Sequence, residues 1–208
     1  MAAASIDLYL ASSSPRRREL LAQLGLRPKR VVADTDETPT PGETPAAYVT
    51  RIAQAKARAG WASLRAPERL SLPLLAADTA VVVDDHILGK PVDAERALQM
   101  LALLSGRSHS VLTAVSILSA GTTAHSQAPR ERQLLVRTDV QMRRITRHEA
   151  LAYWASGEPR DKAGAYALQG RGAVFVEAIC GSYSNVVGLP LFETARLLRE
   201  HGIDPLAG

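Results

Sequence analysis

Leu74-Leu75-Ala76-Ala77-Asp78-Thr79-Ala80-Val81-Val82-Val83 is a near-continuous apolar run closed by the turn residues Asp84-Asp85. Such a run, bounded by turn formers, reads as a strand buried on both faces at the centre of a sheet. One residue in it is out of place. An ionised carboxylate is expensive in apolar surroundings unless it is paired, hydrogen-bonded or bound to a cation. Asp78, with Thr79 beside it, is therefore the first candidate for chemistry, with a satisfied structural aspartate as the alternative.

Outward from this strand, Ile87-Leu88 returns as a hairpin partner and ends at Gly89-Lys90-Pro91. A lysine fixed by a following proline suits a point charge facing a phosphate. Asp84 and Asp85 are explained by the hairpin turn itself, although with Glu37 and Asp78 they supply enough oxygens for a hard cation such as Mg²⁺. Glu37 lies in an acidic, Pro-rich loop over residues 34–42, where ligands are easily presented and a solvated acid is the ordinary case. Thr44-Pro45 then opens a helix whose apolar stripe, Val49, Ile52 and Ala53, continues to Lys56. That lysine either snorkels at the edge of the core or points into a cleft.

At the start of the chain, Leu8-Tyr9-Leu10-Ala11 reads as a strand and residues 19–24 as a helix. Between them lies Ser12-Ser13-Ser14-Pro15-Arg16-Arg17-Arg18, with Ser14 as N-cap and Pro15 as first helical residue. Three arginines at the positive end of a helix dipole cost about 0.3–1 kcal/mol each unless an anion is present. Backbone N–H groups at the helix start and guanidinium forks together suit a phosphate; a solvated basic helix start is the alternative. Gly25 reads as the C-cap and Val31-Val32-Ala33 as a short strand.

Beyond the central strand, Asp93 caps a helix with inner face Ala97, Leu98, Leu101 and Leu104, closed by Gly106. Residues 110–118 and 134–142 read as a long hairpin with a polar tip over 119–133. Thr146-x-x-Glu149 is a capping box for a helix ending at Gly157. Residues 173–179 read as another strand, and Pro190 opens a last helix through Leu198, stopped near Gly202. Strands and helices alternate irregularly with hairpins among them, which predicts an α/β fold with a mixed sheet. No linker and no repeat divides the chain, so residues 1–208 are read as one domain with room for two lobes.

A chain of 208 residues with 46% hydrophobic content can bury a sizeable core. Its net charge of +4 favours anionic ligands without requiring a nucleic acid, and an aromatic content of 4% argues against a base-stacking platform. The lone Cys180 can form no internal disulfide and reads as a small buried hydrophobe. No signal peptide and no apolar run of ~18 residues is present, so a cytoplasmic location and no membrane contact are expected.

Several signatures are missing. Gly89-Lys90 is followed by Pro91, so there is no phosphate-binding Walker loop; Gly170-x-Gly172 lacks a third glycine; His148-Glu149 lacks a second histidine. His86, His109, His125, His148 and His201 have no ligand spacing and read as surface or turn residues. No Gly-x-Ser-x-Gly elbow occurs, so the opening serines look like caps and phosphate ligands. In residues 161–170 the glycines permit close backbone approach to a ligand, and the amide of Gln169 could read a base edge.

Taken together, Ser12-x-Ser14-Pro15-Arg16-Arg17, Glu37, Lys56 in Ala53-Gln54-Ala55-Lys56-Ala57, Ala77-Asp78-Thr79, Gly89-Lys90-Pro91 and Asp161-Lys162-Ala163-Gly164-Ala165-Tyr166 resemble the Maf family. The resemblance continues through Gln169-Gly170 and Asn185-Val186-Val187-Gly188-Leu189-Pro190 and spans nearly the whole chain. It implies a nucleoside triphosphate pyrophosphatase with an elongated α/β fold, similar to the inosine triphosphate pyrophosphatases, with the nucleotide in a cleft between two lobes. It further implies Asp78 as proton acceptor, and Arg16, Thr79 and Gln169 as the residues governing substrate choice. Ser14, Lys56 and Lys90 would face the phosphates, and Glu37 with Asp78 would hold a divalent cation, Mg²⁺ or Mn²⁺. Tyr166 and Gln169 look like the branch acting on dTTP and UTP, whereas a sister branch prefers 7-methyl-GTP. Ser13 stands where the family often has glycine, and Arg18 extends the arginine pair.

The expected reaction is attack of water, activated by Asp78 alone or through the metal, on the α-phosphorus of dTTP or UTP, with modified pyrimidine triphosphates also open as substrates. The partner implied is the nucleoside triphosphate; a homodimer is left open. Two other readings remain: a non-catalytic nucleotide-binding regulator of cell division and, from the arginines alone, a nucleic-acid binder with steep salt dependence.

Overall fold

In the computed structural model, which describes residues 6–121 and 128–206, β1 (Leu8–Ala11) runs parallel to both β2 (Pro28–Arg30) and β3 (Leu74–Val83). β4 (His86–Leu88) folds back antiparallel onto β3, and β5 (Ser108–Ser119), β6 (Arg130–Met142) and β7 (Val176–Cys180) extend the sheet antiparallel. The order is β2-β1-β3-β5-β6-β7, a mixed seven-stranded sheet, with β4 beside β3. Among the described residues seven α-helices flank it: α1 (Pro15–Gln23), α2 (Pro45–Ser63), α3 (Ala66–Ser71), α4 (Ala94–Leu104), α5 (Arg147–Ala155), α6 (Tyr183–Val187) and α7 (Leu191–Arg199). The predicted α/β class with a mixed sheet is thus the class observed.

β3 organises the site through its edges and its faces. One edge pairs with β5 from Leu74 to Val82. The other pairs with β1 at Leu74, Leu75 and Ala76 and with β4 at Val81, Val82 and Val83. Among the described residues no strand pairs with 77–80 on that second edge, so the sheet has a gap where Asp78 and Thr79 lie.

Side chains alternate across a strand, and the core sorts accordingly. Leu74 and Ala76 pack with Ala57 and Trp61 of α2, while Ala80 and Val82 pack with Val49 and Ala53 of the same helix. Leu75 and Ala77 face Leu20, Leu21, Leu189 and Leu197, and Val81 and Val83 face Leu101, Leu104 and Phe175. Asp78 therefore shares the face covered by α2, and Thr79 points to the other. The apolar clusters at the two ends of β3 are separate, which gives the predicted two lobes a physical basis.

Several expectations need correction. The short strand expected at 31–33 is β2 at Pro28–Arg30, although the Val31 N–H still donates to Leu10 O at 2.9 Å. The long hairpin ends at Met142 as expected, but β5 already starts at Ser108 and β6 at Arg130, where the charged first residues of β6 find partners on flanking segments, Glu131 with Arg58 of α2 and Arg130 with Glu200 after α7. The rest of the expected tip, 122–127 with His125, lies outside the described residues. Residues 173–175 belong to a tight helical turn, Arg171–Phe175, and the strand begins at Val176. His109 is not a surface residue: it is 3% exposed, with Nε2 hydrogen-bonded to the Tyr166 hydroxyl at 2.8 Å, and burial holds its pKa down to about 4. His201 is half-buried, with Nδ1 at 2.8 Å from Ser119 Oγ. Cys180 is exposed rather than buried, at the end of an edge strand whose side chains are mostly solvated.

Candidate active site

The gap in the sheet edge opens into a cavity of about 590 Å³. Ser14, Arg16, Glu37, Lys56, Asp78, Thr79, Lys90 and Gln169, the residues singled out from the sequence, all line it. They come from six separate segments of the chain.

Asp78 is 7% exposed and faces α2 between the positions that pack on Ala57 and on Ala53. Lys56 projects there. Its Nζ donates to Asp78 Oδ1 at 2.8 Å and lies 2.7 Å from Glu37 Oε1. Of the two readings open for this lysine, the cleft is the one realised. Glu37 is half-exposed, and its loop is strapped to α2: the Tyr48 hydroxyl donates to Glu37 O at 3.0 Å and Arg51 Nη2 to Thr38 O at 3.0 Å. Burial raises the pKa of Asp78 above the usual carboxylate value; Lys56 and Arg17 oppose this without cancelling it. A buried carboxylate made more basic than normal, at the edge of a cavity, suits a general base.

Thr79 faces the other side of the sheet. Its hydroxyl accepts from Arg17 Nη2 at 3.1 Å and shares a 2.9 Å hydrogen bond with Thr113 Oγ1. Arg17 Nε also donates to Gly188 O at 2.9 Å and Nη1 to Ser12 Oγ at 3.1 Å. Thr113 in turn donates to Asn185 O, and Asn185 Nδ2 donates to Val111 O and Thr138 Oγ1. This buried network ties α1, β3, β5 and α6 together beneath the cavity. Sequence reasoning gave Arg17 no role of its own, yet a signal exists: Arg17, Leu20 and Leu21 are the buried residues of α1, at helical spacing.

The first turn of α1 carries no acid, and Ser14 sits at the cap position without a side-chain bond to the helix. Arg16, partly exposed, lines the cavity beside it. Lys90 and the segment with Lys162 and Gln169 form further walls of the cavity. Lys162 is paired with Asp161. The Gly164 N–H donates to Gly89 O at 3.1 Å, joining these walls. At Gly164 φ is +69°, and a Cβ there would stand 2.9 Å from Val81 Cγ1, so only glycine lets this turn press on the end of β3.

Among the described residues no three acidic, histidine or cysteine side chains converge. Asp84 stays in its turn, paired with Arg107, and neither Asp84 nor Asp85 lines the cavity. A cation here would therefore have at most two protein carboxylates, Glu37 and Asp78, which already converge on one positive charge at 2.7 and 2.8 Å. That donor set suits Mg²⁺ or Mn²⁺ completed by water and phosphate oxygens.

Residues 7–201 match the family model described as Maf-like protein. A dTTP/UTP pyrophosphatase of Nitrosomonas europaea is 52% identical over 204 residues, covering 94% of this chain and 95% of that protein. The dTTP/UTP pyrophosphatase of Saccharophagus degradans is 52% identical over 194 residues, with 93% and 88% covered. That of Chromobacterium violaceum is 50% identical over 203 residues, with 95% and 96% covered.

Proposed function

This chain belongs to the Maf family, and on that premise we propose that it hydrolyses dTTP and UTP to the monophosphate and pyrophosphate. The observation that carries the reading is the Asp78–Lys56–Glu37 cluster, which lines one cavity together with the arginine-bearing start of α1. The three relatives named above bear the name of this activity.

In this mechanism the triphosphate lies against the first turn of α1, where Arg16, Ser14 and the helix dipole favour negative charge. Lys56 and Lys90 stand over the phosphate oxygens and stabilise the charge that builds on them in the transition state. Asp78 takes a proton from the attacking water. The new bond joins that oxygen to the α-phosphorus, the bond from the α-phosphorus to the bridging oxygen breaks, and pyrophosphate leaves. A divalent cation held by Glu37 and Asp78 would supply charge neutralisation of the triphosphate tail. Arg16, Thr79 and Gln169 choose the base, Thr79 from a hydroxyl already fixed by Arg17 and Thr113. The proposal treats the chain as one Maf-like domain working in the cytoplasm; among the described residues no helix is long and apolar enough to cross a membrane.

The test is turnover of a panel of nucleoside triphosphates with Mg²⁺ or Mn²⁺, with monophosphate and pyrophosphate quantified. Preference for dTTP and UTP is expected, with a loss of about 10²–10⁴-fold in Asp78→Asn, which keeps size and removes basicity. Binding of these nucleotides without monophosphate formation would instead support a non-catalytic regulator.

A further inference from the structure

Next to the cavity, the turn that carries Gln169 is held by two side chains that the reaction does not use. Glu158 stands just after α5, in the helical turn Glu158–Asp161. Its Oε2 accepts the Arg171 N–H at 2.9 Å, and its Oε1 accepts the Gly172 N–H at 3.1 Å and the Tyr153 hydroxyl at 2.8 Å. Tyr153, buried on α5 with its ring edge-on to Phe175, accepts the Ala167 N–H on the same hydroxyl at 3.0 Å. One carboxylate and one phenol thus hold both ends of the segment 167–172, with Gln169 between them.

The glycines of this segment follow from that arrangement. A Cβ at position 170 would meet the Glu158 carboxylate at 2.5 Å, and one at position 172 would meet the Tyr153 hydroxyl at 2.6 Å and Ala167 O at 2.7 Å. Burial raises the Glu158 pKa, but the N–H groups of Arg171 and Gly172 and the Tyr153 hydroxyl outweigh it, so the group is net lowered and ionised at neutral pH. Three donors to one carboxylate make a rigid mount. Gln169 is exposed on the cavity wall, so its reach is set by the backbone that carries it. Neither Glu158 nor Tyr153 lines the cavity.

We propose that Glu158, with Tyr153 as its relay, is a positioning residue that sets base selectivity by fixing the turn carrying Gln169. The inference rests on the pyrimidine triphosphate reading above. Recognition through an amide depends on placement, because a displaced donor and acceptor pair leaves the base edge unsatisfied.

Gly170→Ala gives a clean perturbation. With φ at −136° the backbone is extended rather than left-handed, and the three atoms nearest the added methyl all belong to the far end of Glu158. Its main effect is to push that carboxylate off its mount. Gly170→Ala, Tyr153→Phe and Glu158→Gln are compared with the wild type on dTTP and dGTP. In each variant the ratio of kcat/KM for dTTP over dGTP should fall about tenfold. The loss should lie on dTTP and come from a raised KM more than a lowered kcat, with dGTP turnover held within roughly threefold. A ratio unchanged in Gly170→Ala and Tyr153→Phe, or both substrates falling in parallel, overturns the proposal, and these two variants decide it even if Glu158→Gln does not fold. A wild type without preference for dTTP and UTP sinks the parent reading and this one with it. That outcome appears in the wild-type data alone.

Discussion

Replacing Lys56 with methionine keeps the unbranched stem and removes the ammonium that stands 2.8 Å from Asp78 and 2.7 Å from Glu37. At 2.8 Å and an effective dielectric constant of about 20, the gross attraction to Asp78 is about 6 kcal/mol. Desolvation already offsets part of that, and removing one partner of a buried pair costs about 3–5 kcal/mol in practice. The side chains of Lys56 and Asp78 are 13% and 10% exposed, so solvent screens little of the effect. Burial already raises the Asp78 pKa, and Lys56 is the strongest group opposing it, so Lys56→Met drives it further up. Two readouts follow. The acid limb of kcat/KM against pH moves to higher pH, because a higher pH is needed to deprotonate the base. A carboxyl with folded pKa above its unfolded pKa binds more protons when folded, so stability falls as pH rises from the unfolded toward the folded value. The deficit of the variant in urea unfolding should therefore grow from about pH 5 to about pH 8. An acid limb that stays put or moves down, or a deficit equal at both values, would refute this coupling.

Arg17→Met removes the hydrogen bonds to Gly188 O, Ser12 Oγ and Thr79 Oγ1 and should cost about 3 kcal/mol. In thermal melts that is a drop of roughly 6–12 °C for a chain of this size; a drop under about 2 °C would show that the network carries no stability. Gly164→Ala, strained at φ +69° and pressed on Val81, should lose about 1–3 kcal/mol. In a cycle with Val81→Ala the two should couple by about 1 kcal/mol, and simple additivity would leave the strain in the backbone alone. Thr146→Ala breaks the capping box with Glu149 and should lower stability by about 1 kcal/mol, measured by urea unfolding.

Local signals were legible in the sequence, and pairings between distant segments were not. The central strand is legible with its observed bounds, because apolar continuity and the Asp84-Asp85 turn are local features. The cost of burying Asp78 marked it before any partner was known, and the helical stripe brought Lys56 to the correct face of α2. What sequence could not show is the gap at 77–80, since it depends on β1 and β4 sharing one edge of β3. Apolar Ala173-Val174-Phe175 reads as strand but is bent into a helical turn, of which Glu158 holds the first two N–H groups, those of Arg171 and Gly172. His109 reads as a surface residue because its partner, Tyr166, lies 57 residues away in the sequence. Larger separations, of 62 and 171 residues, hide Arg17, whose acceptors Thr79 and Gly188 belong to β3 and the end of α6.

Hydrolysis of dTTP in heavy-oxygen water, followed by mass spectrometry of both products, tests most directly whether water attacks the α-phosphorus. The mechanism predicts one heavy oxygen in the monophosphate and none in the pyrophosphate. Label in the pyrophosphate, or release of orthophosphate in its place, would contradict it.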